Sequence, residues 1–176
     1  MKEISLTKDF IITTSLPKKH SDVNFKLIRS YLEYKTEKMS VKQLNRHKDI
    51  KIETMQDITW LMDYIEGQYL LKKHGTLWPK EINIMVHDKG EGSIKRHHLN
   101  YADLKGSPDL VMLYFLETDK NDLVIEYDDG RKKGCYWTLP IHENKYVLFN
   151  SHLEYYLKPN TSNKQRLILR VTYEER

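Results

Sequence analysis

Little in this chain could carry a covalent framework or a phosphate loop. It has one cysteine, Cys135, so no intramolecular disulfide can form, and Gly134 and Tyr136 beside it supply no second thiol for a Cys-x-x-Cys site. That scarcity suits a reducing compartment, and a cytoplasmic protein is expected. Glycine and proline are also sparse, at seven and five residues, and they form neither a Gly-rich phosphate loop nor a nucleophile elbow. Zinc-ligand spacing and a Cys-His arrangement are missing as well. Hydrolases and nucleotide-driven enzymes therefore have no residues to stand on. No apolar run approaches the roughly 20 residues that span a bilayer, and the opening MKEISLTKDF lacks the apolar region of a signal peptide, so no membrane association is expected. An excess of one charge is absent too, with 29 Lys and Arg against 25 Asp and Glu. Basic clusters at Lys18-Lys19, Lys72-Lys73, Lys95-Arg96-His97-His98 and Arg131-Lys132-Lys133 alternate with acidic residues such as Asp128-Asp129. They read first as solvated faces, and a nucleic-acid groove with tyrosine stacking is the lesser reading.

A chain of 176 residues can bury a sizeable core, and a single domain over 1–176 is expected, with a strand and helices in 1–77 and a β core in 78–176. Residues 10–14 are β-branched and apolar enough for an edge or swapped-in strand. Ser21 or Asp22 can cap a first helix, in which Leu27, Ile28, Tyr31 and Leu32 recur at helical spacing while Lys26, Arg29 and Glu33 take the other face. Residues 37–51, dense in Lys, Asn, Gln and Arg, read as a mobile or partner-facing connection. In a second helix Thr54 and Asp57 resemble a capping box. Ile58, Leu61, Met62, Ile65 and Tyr69 form its apolar stripe, and Lys72 and Lys73 suit the negative end of the dipole. From Trp78 the texture changes to short strands and turns, as in a sandwich or barrel. Strands are expected at 82–86, 94–100, 110–116, 123–127 and 135–139, and 110–116, apolar on both faces, belongs in the centre.

The stretch that organises the rest is 146–173, YVLFNSHLEYYLKPNTSNKQRLILRVTY. Residues 146–149 suit a buried strand, and Leu167, Leu169 and Val171 alternate with Ile168, Arg170 and Thr172 in another. Pro159-Asn160-Thr161-Ser162-Asn163 between them is turn chemistry, so strand, turn and strand are expected as a hairpin. The wording resembles the C-terminal half of the 2-oxoglutarate and iron(II) dioxygenase family, whose usual run is close to Phe-Pro-Ser-x-x-x-His-x-Val-x-Pro-Asn-x-Ser-x-x-x-Arg. This chain keeps Phe149, Ser151, Leu157, Pro159, Asn160, Ser162 and Arg166. Tyr155 stands where that family has its iron-binding histidine. The resemblance implies an α+β chain: a double-stranded β-helix, or cupin-like jelly roll, preceded by two packing helices, as in the small oxygenases common in phages.

It also implies iron(II) and 2-oxoglutarate as cofactors if the site is functional, because two histidines and a carboxylate hold the metal and leave positions open for cosubstrate and oxygen. Two registers are possible for the first half of that triad. His98-Leu99-Asn100, six residues after Gly92, keeps the histidine but offers an amide for the carboxylate. Tyr101-Ala102-Asp103 keeps the carboxylate and loses the histidine. Neither register gives the full pair, and the candidate metal positions are His98, Asp103 and Tyr155. Each also has a bland reading: His98 as an ordinary polar residue beside Lys95 and Arg96, Asp103 as a turn residue before Gly106, Tyr155 as core. His152 replaces Tyr155 only through a bulge, since an odd offset sends a strand side chain to the other face. Arg166 is the candidate cosubstrate anchor, because the matching arginine of the family pairs bidentately with the distal carboxylate of 2-oxoglutarate. An inward guanidinium in a buried strand needs a counter-anion, supplied by cosubstrate or by a protein carboxylate.

With the triad incomplete, the expected function is that of a non-catalytic dioxygenase-like protein, since a fold alone does not confer activity. Such a protein would be a binding or assembly component with protein partners. Heavy use of Lys, Ile, Asn and Tyr suits an AT-rich genome and a bacteriophage particle, and thus host cytoplasm or virion. The alternatives are an active 2-oxoglutarate dioxygenase that hydroxylates protein or nucleic acid through an altered metal site, and a nucleic-acid binder on the same fold.

Overall fold

The computed structural model describes residues 2–6, 9–17, 22–38, 49–51, 56–73, 75–127 and 135–176. In chain order the elements are β1 (Lys2–Leu6), β2 (Asp9–Ser15), α1 (Asp22–Lys38), β3 (Asp49–Lys51), α2 (Gln56–Lys73), β4 (Leu77–His87), β5 (Leu110–Glu117), β6 (Asp122–Tyr127), β7 (Cys135–Pro140), β8 (Lys145–Asn150), β9 (Glu154–Leu157) and β10 (Arg166–Glu175). One sheet has seven strands in the order β1-β2-β8-β5-β10-β4-β3, and the other has three in the order β7-β6-β9. Every pairing is antiparallel.

The larger sheet is covered on both sides, which is why β5 and β8 read as unbroken apolar runs. Successive side chains leave a strand on opposite faces. Ile82, Ile84, Val86, Met112, Tyr114, Leu148, Leu167, Leu169 and Val171 meet Leu27 and Tyr31 of α1 and Ile58, Leu61, Met62, Ile65 and Tyr69 of α2. The intervening Met85, Val111, Leu113, Phe115, Val147, Phe149 and Ile168 face the smaller sheet, where Leu123, Ile125, Leu139, Tyr155 and Leu157 complete an inter-sheet core. Leu27, Ile28 and Tyr31 of the first expected stripe and all five residues of the second are thus on the faces laid on the sheet, while the Leu32 side chain lies outside the described residues. A polar clasp fixes α1. The buried Asn24 amide donates to Leu116 O at 2.9 Å, and the Tyr114 hydroxyl donates to Asn24 Oδ1 and lies 3.0 Å from the Asn144 side-chain amide. Asn144 takes a left-handed φ of 64°, a conformation asparagine tolerates better than most residues.

Several local expectations change in the fold. Residues 146–173 are not a hairpin. β8 and β10 each pair with β5 rather than with each other, and β9 between them crosses to the smaller sheet beside β6. Alternation explains the crossing: Tyr155 and Leu157 are buried while Glu154 and Tyr156 are half-exposed, the pattern of a strand with one wet face, whereas β8 and most of β10 are dry on both. The strand at 10–14 lies inside the sheet, because β1 covers its outer side. Of the connection at 37–51, residues 49–51 form β3 beside β4, and 39–48 lie outside the described residues, as do Thr54 and residues 128–134. No helix among the described residues is long and apolar enough to cross a membrane.

Candidate functional site

The site begins on a segment that is almost a strand. Residues 93–98 run against β9 through Ser93 N to Leu157 O (3.2 Å), reciprocal bonds between Arg96 and Tyr155 (3.0 and 2.9 Å), and His98 N to Ser151 O (2.9 Å). Gly92 permits this approach, because a Cβ there would meet Leu157 O at 2.5 Å. Lys95 turns outward to Glu126 and Glu154, at 2.5 and 2.6 Å. His98 meets the inter-sheet core at Tyr155.

There its Nε2 lies 2.8 Å from the Tyr155 hydroxyl, and the two rings stack with centroids 5.8 Å apart at 21°. Tyr155 is 0% exposed, and its other side meets Phe149 edge-on at 5.1 Å. The structure thus brings two of the candidate metal positions, His98 and Tyr155, into contact. The loop that follows explains why no carboxylate joins them. Asn100 turns its Oδ1 to Ala102 N (3.1 Å) while its own N–H donates to Ser107 Oγ (2.7 Å). Asp103 is exposed, and its Oδ1 accepts Gly106 N–H at 2.9 Å. Both side chains therefore close their own turns. His152 is exposed. Among the described residues no group of three His, Cys, Asp or Glu is arranged to hold a metal ion. An iron(II) triad needs two imidazoles and a carboxylate facing one point. One imidazole bonded to a phenol, followed by an amide committed to a turn, does not fit it. A cavity of about 180 Å³, lined by Lys80, Glu81, His98, Gly106, Pro108 and Thr172, opens onto His98.

Arg166 opens β10, on the same face as Ile168, Arg170 and Thr172, and is 0% exposed. Its Nε and Nη2 donate to Asp119 Oδ1 at 3.0 and 2.5 Å, and its Nη1 donates to Lys158 O at 2.8 Å. Asp119 comes from the turn between β5 and β6, and its Oδ2 accepts the N–H and the hydroxyl of Thr161 at 2.7 and 2.9 Å. Burial alone would push this carboxyl up. The bonds from Thr161 and Arg166, with the guanidinium charge, overcome that and hold it below the ordinary carboxylate range. The retained Pro159-Asn160-Thr161-Ser162 run builds the turn: buried Asn160 donates to His87 O and Lys164 O and accepts from Ser162 N–H. Of the two counter-anions open to Arg166, the structure supplies the protein carboxylate. Sequence reasoning required an anion for Arg166 and missed Asp119 as its source, since nothing local marks an acid that pairs 47 positions away. It also missed Arg170, buried between the sheets in register with Asn83. The two-residue step from Arg166 was the available signal.

No family model and no curated protein matches the sequence. Solved structures do match. A prolyl-4-hydroxylase from Pseudomonas putida superposes with a TM-score of 0.66 at 12% identity over 94% of this chain and 92% of that one. A viral collagen prolyl hydroxylase from Paramecium bursaria Chlorella virus-1, solved as its 2-oxoglutarate complex, gives 0.65 at 10% identity over 93% and 94%. A prolyl hydroxylase from Trichoplax adhaerens, in complex with a hypoxia-inducible-factor degradation-domain peptide, gives 0.64 at 15% identity over 94% and 83%. At such identities the likeness speaks to the fold. This chain has the α+β, double-stranded β-helix fold of the 2-oxoglutarate/iron(II) oxygenases.

Proposed function

We propose that this protein is a non-catalytic member of the oxygenase-like fold, serving as a binding or assembly component with protein partners. The observation that carries the reading is the 2.8 Å bond between His98 and Tyr155. It engages the one imidazole of the His98-Leu99-Asn100 register with a buried phenol, and a neutral phenol, with an unperturbed pKa near 10, is a poor iron(II) ligand. The turn commitments of Asn100 and Asp103 support the same reading, because neither side chain is offered to His98.

Anaerobic titration of the purified protein with iron(II), with and without 2-oxoglutarate, tests it. The expected result is no stoichiometric metal and no cosubstrate-dependent visible band. Tight one-to-one iron(II) with such a band, together with succinate release, would overturn the reading in favour of an active oxygenase with an altered metal site. That competing reading draws on the neighbours, whose names are those of hydroxylases.

A further inference from the structure

At the Arg166 end of the barrel four donors within 3.0 Å converge on the two oxygens of one carboxylate, Arg166 Nε and Nη2 on Oδ1 and Thr161 N and Oγ1 on Oδ2, with Thr118 Oγ1 and Asn121 Nδ2 farther off at 3.4 Å. Charge-assisted donors from both sides of a carboxylate, one of them a guanidinium, are the chemistry by which proteins recognise carboxylate ligands. Its setting is not that of a surface ion pair. Side-chain exposure is 0% for Arg166 and 5% for Asp119, and the guanidinium sits inside the barrel on the face of Ile168. The acid arrives from elsewhere, on the turn that carries the chain from the larger sheet to the smaller one.

We propose that this cradle is a carboxylate-binding site which the chain fills from within, Asp119 standing where a soluble carboxylate would otherwise sit. The inference extends the non-catalytic reading to the cosubstrate end of the barrel. In the protein as it exists the anchor is already paired, so 2-oxoglutarate finds the Arg166 guanidinium taken. Removing the Asp119 side chain empties the cradle and leaves its donors in place.

Thermal unfolding in formate, with chloride at equal ionic strength as control, reads this directly. Asp119→Ala should melt below the wild type in chloride. Formate should raise its midpoint saturably, by roughly 5 to 10 °C at a hundredfold excess over Kd. The wild type and the Asp119→Ala/Arg166→Leu double variant should show no such saturable rise, and Asp119→Asn, whose amide still fills the space, should show little. A formate effect equal in all four proteins, or absent from a folded Asp119→Ala, would overturn the inference. Should Asp119→Ala fail to fold, calorimetric titration of the wild type with 2-oxoglutarate still decides: no heat of binding supports a cradle already filled, and saturable binding abolished by Arg166→Leu overturns it. None of these measurements contains iron, so their failure is distinct from tight one-to-one iron(II) binding, which sinks the non-catalytic reading; a cosubstrate-dependent band would sink both.

Discussion

Removing the Asp119 carboxylate should cost more stability than removing the guanidinium it binds. Arg166 has no exposed surface. In Asp119→Ala it would keep only its bond to the Lys158 carbonyl among those found here, leaving a buried cation without its anion. Stripping one partner from a buried ion pair costs about 3–5 kcal/mol, because the other charge is stranded away from water. Arg166→Leu strands Asp119 instead, but this carboxylate retains both Thr161 donors, with Asn121 Nδ2 at 3.4 Å. Its cost should be nearer 1–3 kcal/mol, the range for an incompletely satisfied buried polar group. The double variant should lose less than the sum of the singles, since an apolar pair leaves no stranded charge. Urea unfolding of the four proteins, read at the midpoint with the slope compared between them, measures all three quantities. Total stabilities of about 5–15 kcal/mol leave room for such losses without unfolding every variant. The reasoning is refuted if Arg166→Leu proves the costlier single change, or if the two losses add.

Three further outcomes follow from the same geometry. Because the folded Asp119 carboxyl is held below its ordinary range, its stabilisation is complete above the unfolded pKa near 3.9 and disappears as the pH falls through the lowered folded value. The stability gap between wild type and Asp119→Asn should therefore narrow in acid, and a gap constant with pH would contradict the assignment. Gly92→Ala would drive a methyl against the Leu157 carbonyl, and overpacking against rigid backbone should cost about 1–3 kcal/mol; an unchanged urea midpoint would show that residues 93–98 are not held against β9. Tyr155→Phe removes the bond to His98 while keeping the ring packed on Phe149, so its loss should be about 0.5–1.5 kcal/mol. A larger loss would mean that the hydroxyl does more than cap the imidazole.

Features that neighbouring residues decide among themselves were legible in the sequence. The stripe from Ile58 to Tyr69 specifies the buried face of α2, the two-sided apolar run of β5 places it centrally, and Arg166 in a buried strand requires an anion. These follow from the 3.6- and 2-residue periods and from the cost of burying an unpaired charge, all local quantities. Tertiary structure decided which anion pairs with Arg166 and which side chain meets Tyr155. Asp119 lies 47 positions from Arg166, and His98 lies 57 positions from Tyr155. Only the pairing of β9 with β6 and with residues 93–98 brings the latter pair together, while Asp103, equally eligible on paper, is claimed by its own turn. The crossing of β9 out of the apparent hairpin has the same origin. Strand pairing is set by which faces the whole chain can bury, and a stretch of twenty-eight letters from Tyr146 to Tyr173 does not contain the surface against which its own middle strand packs.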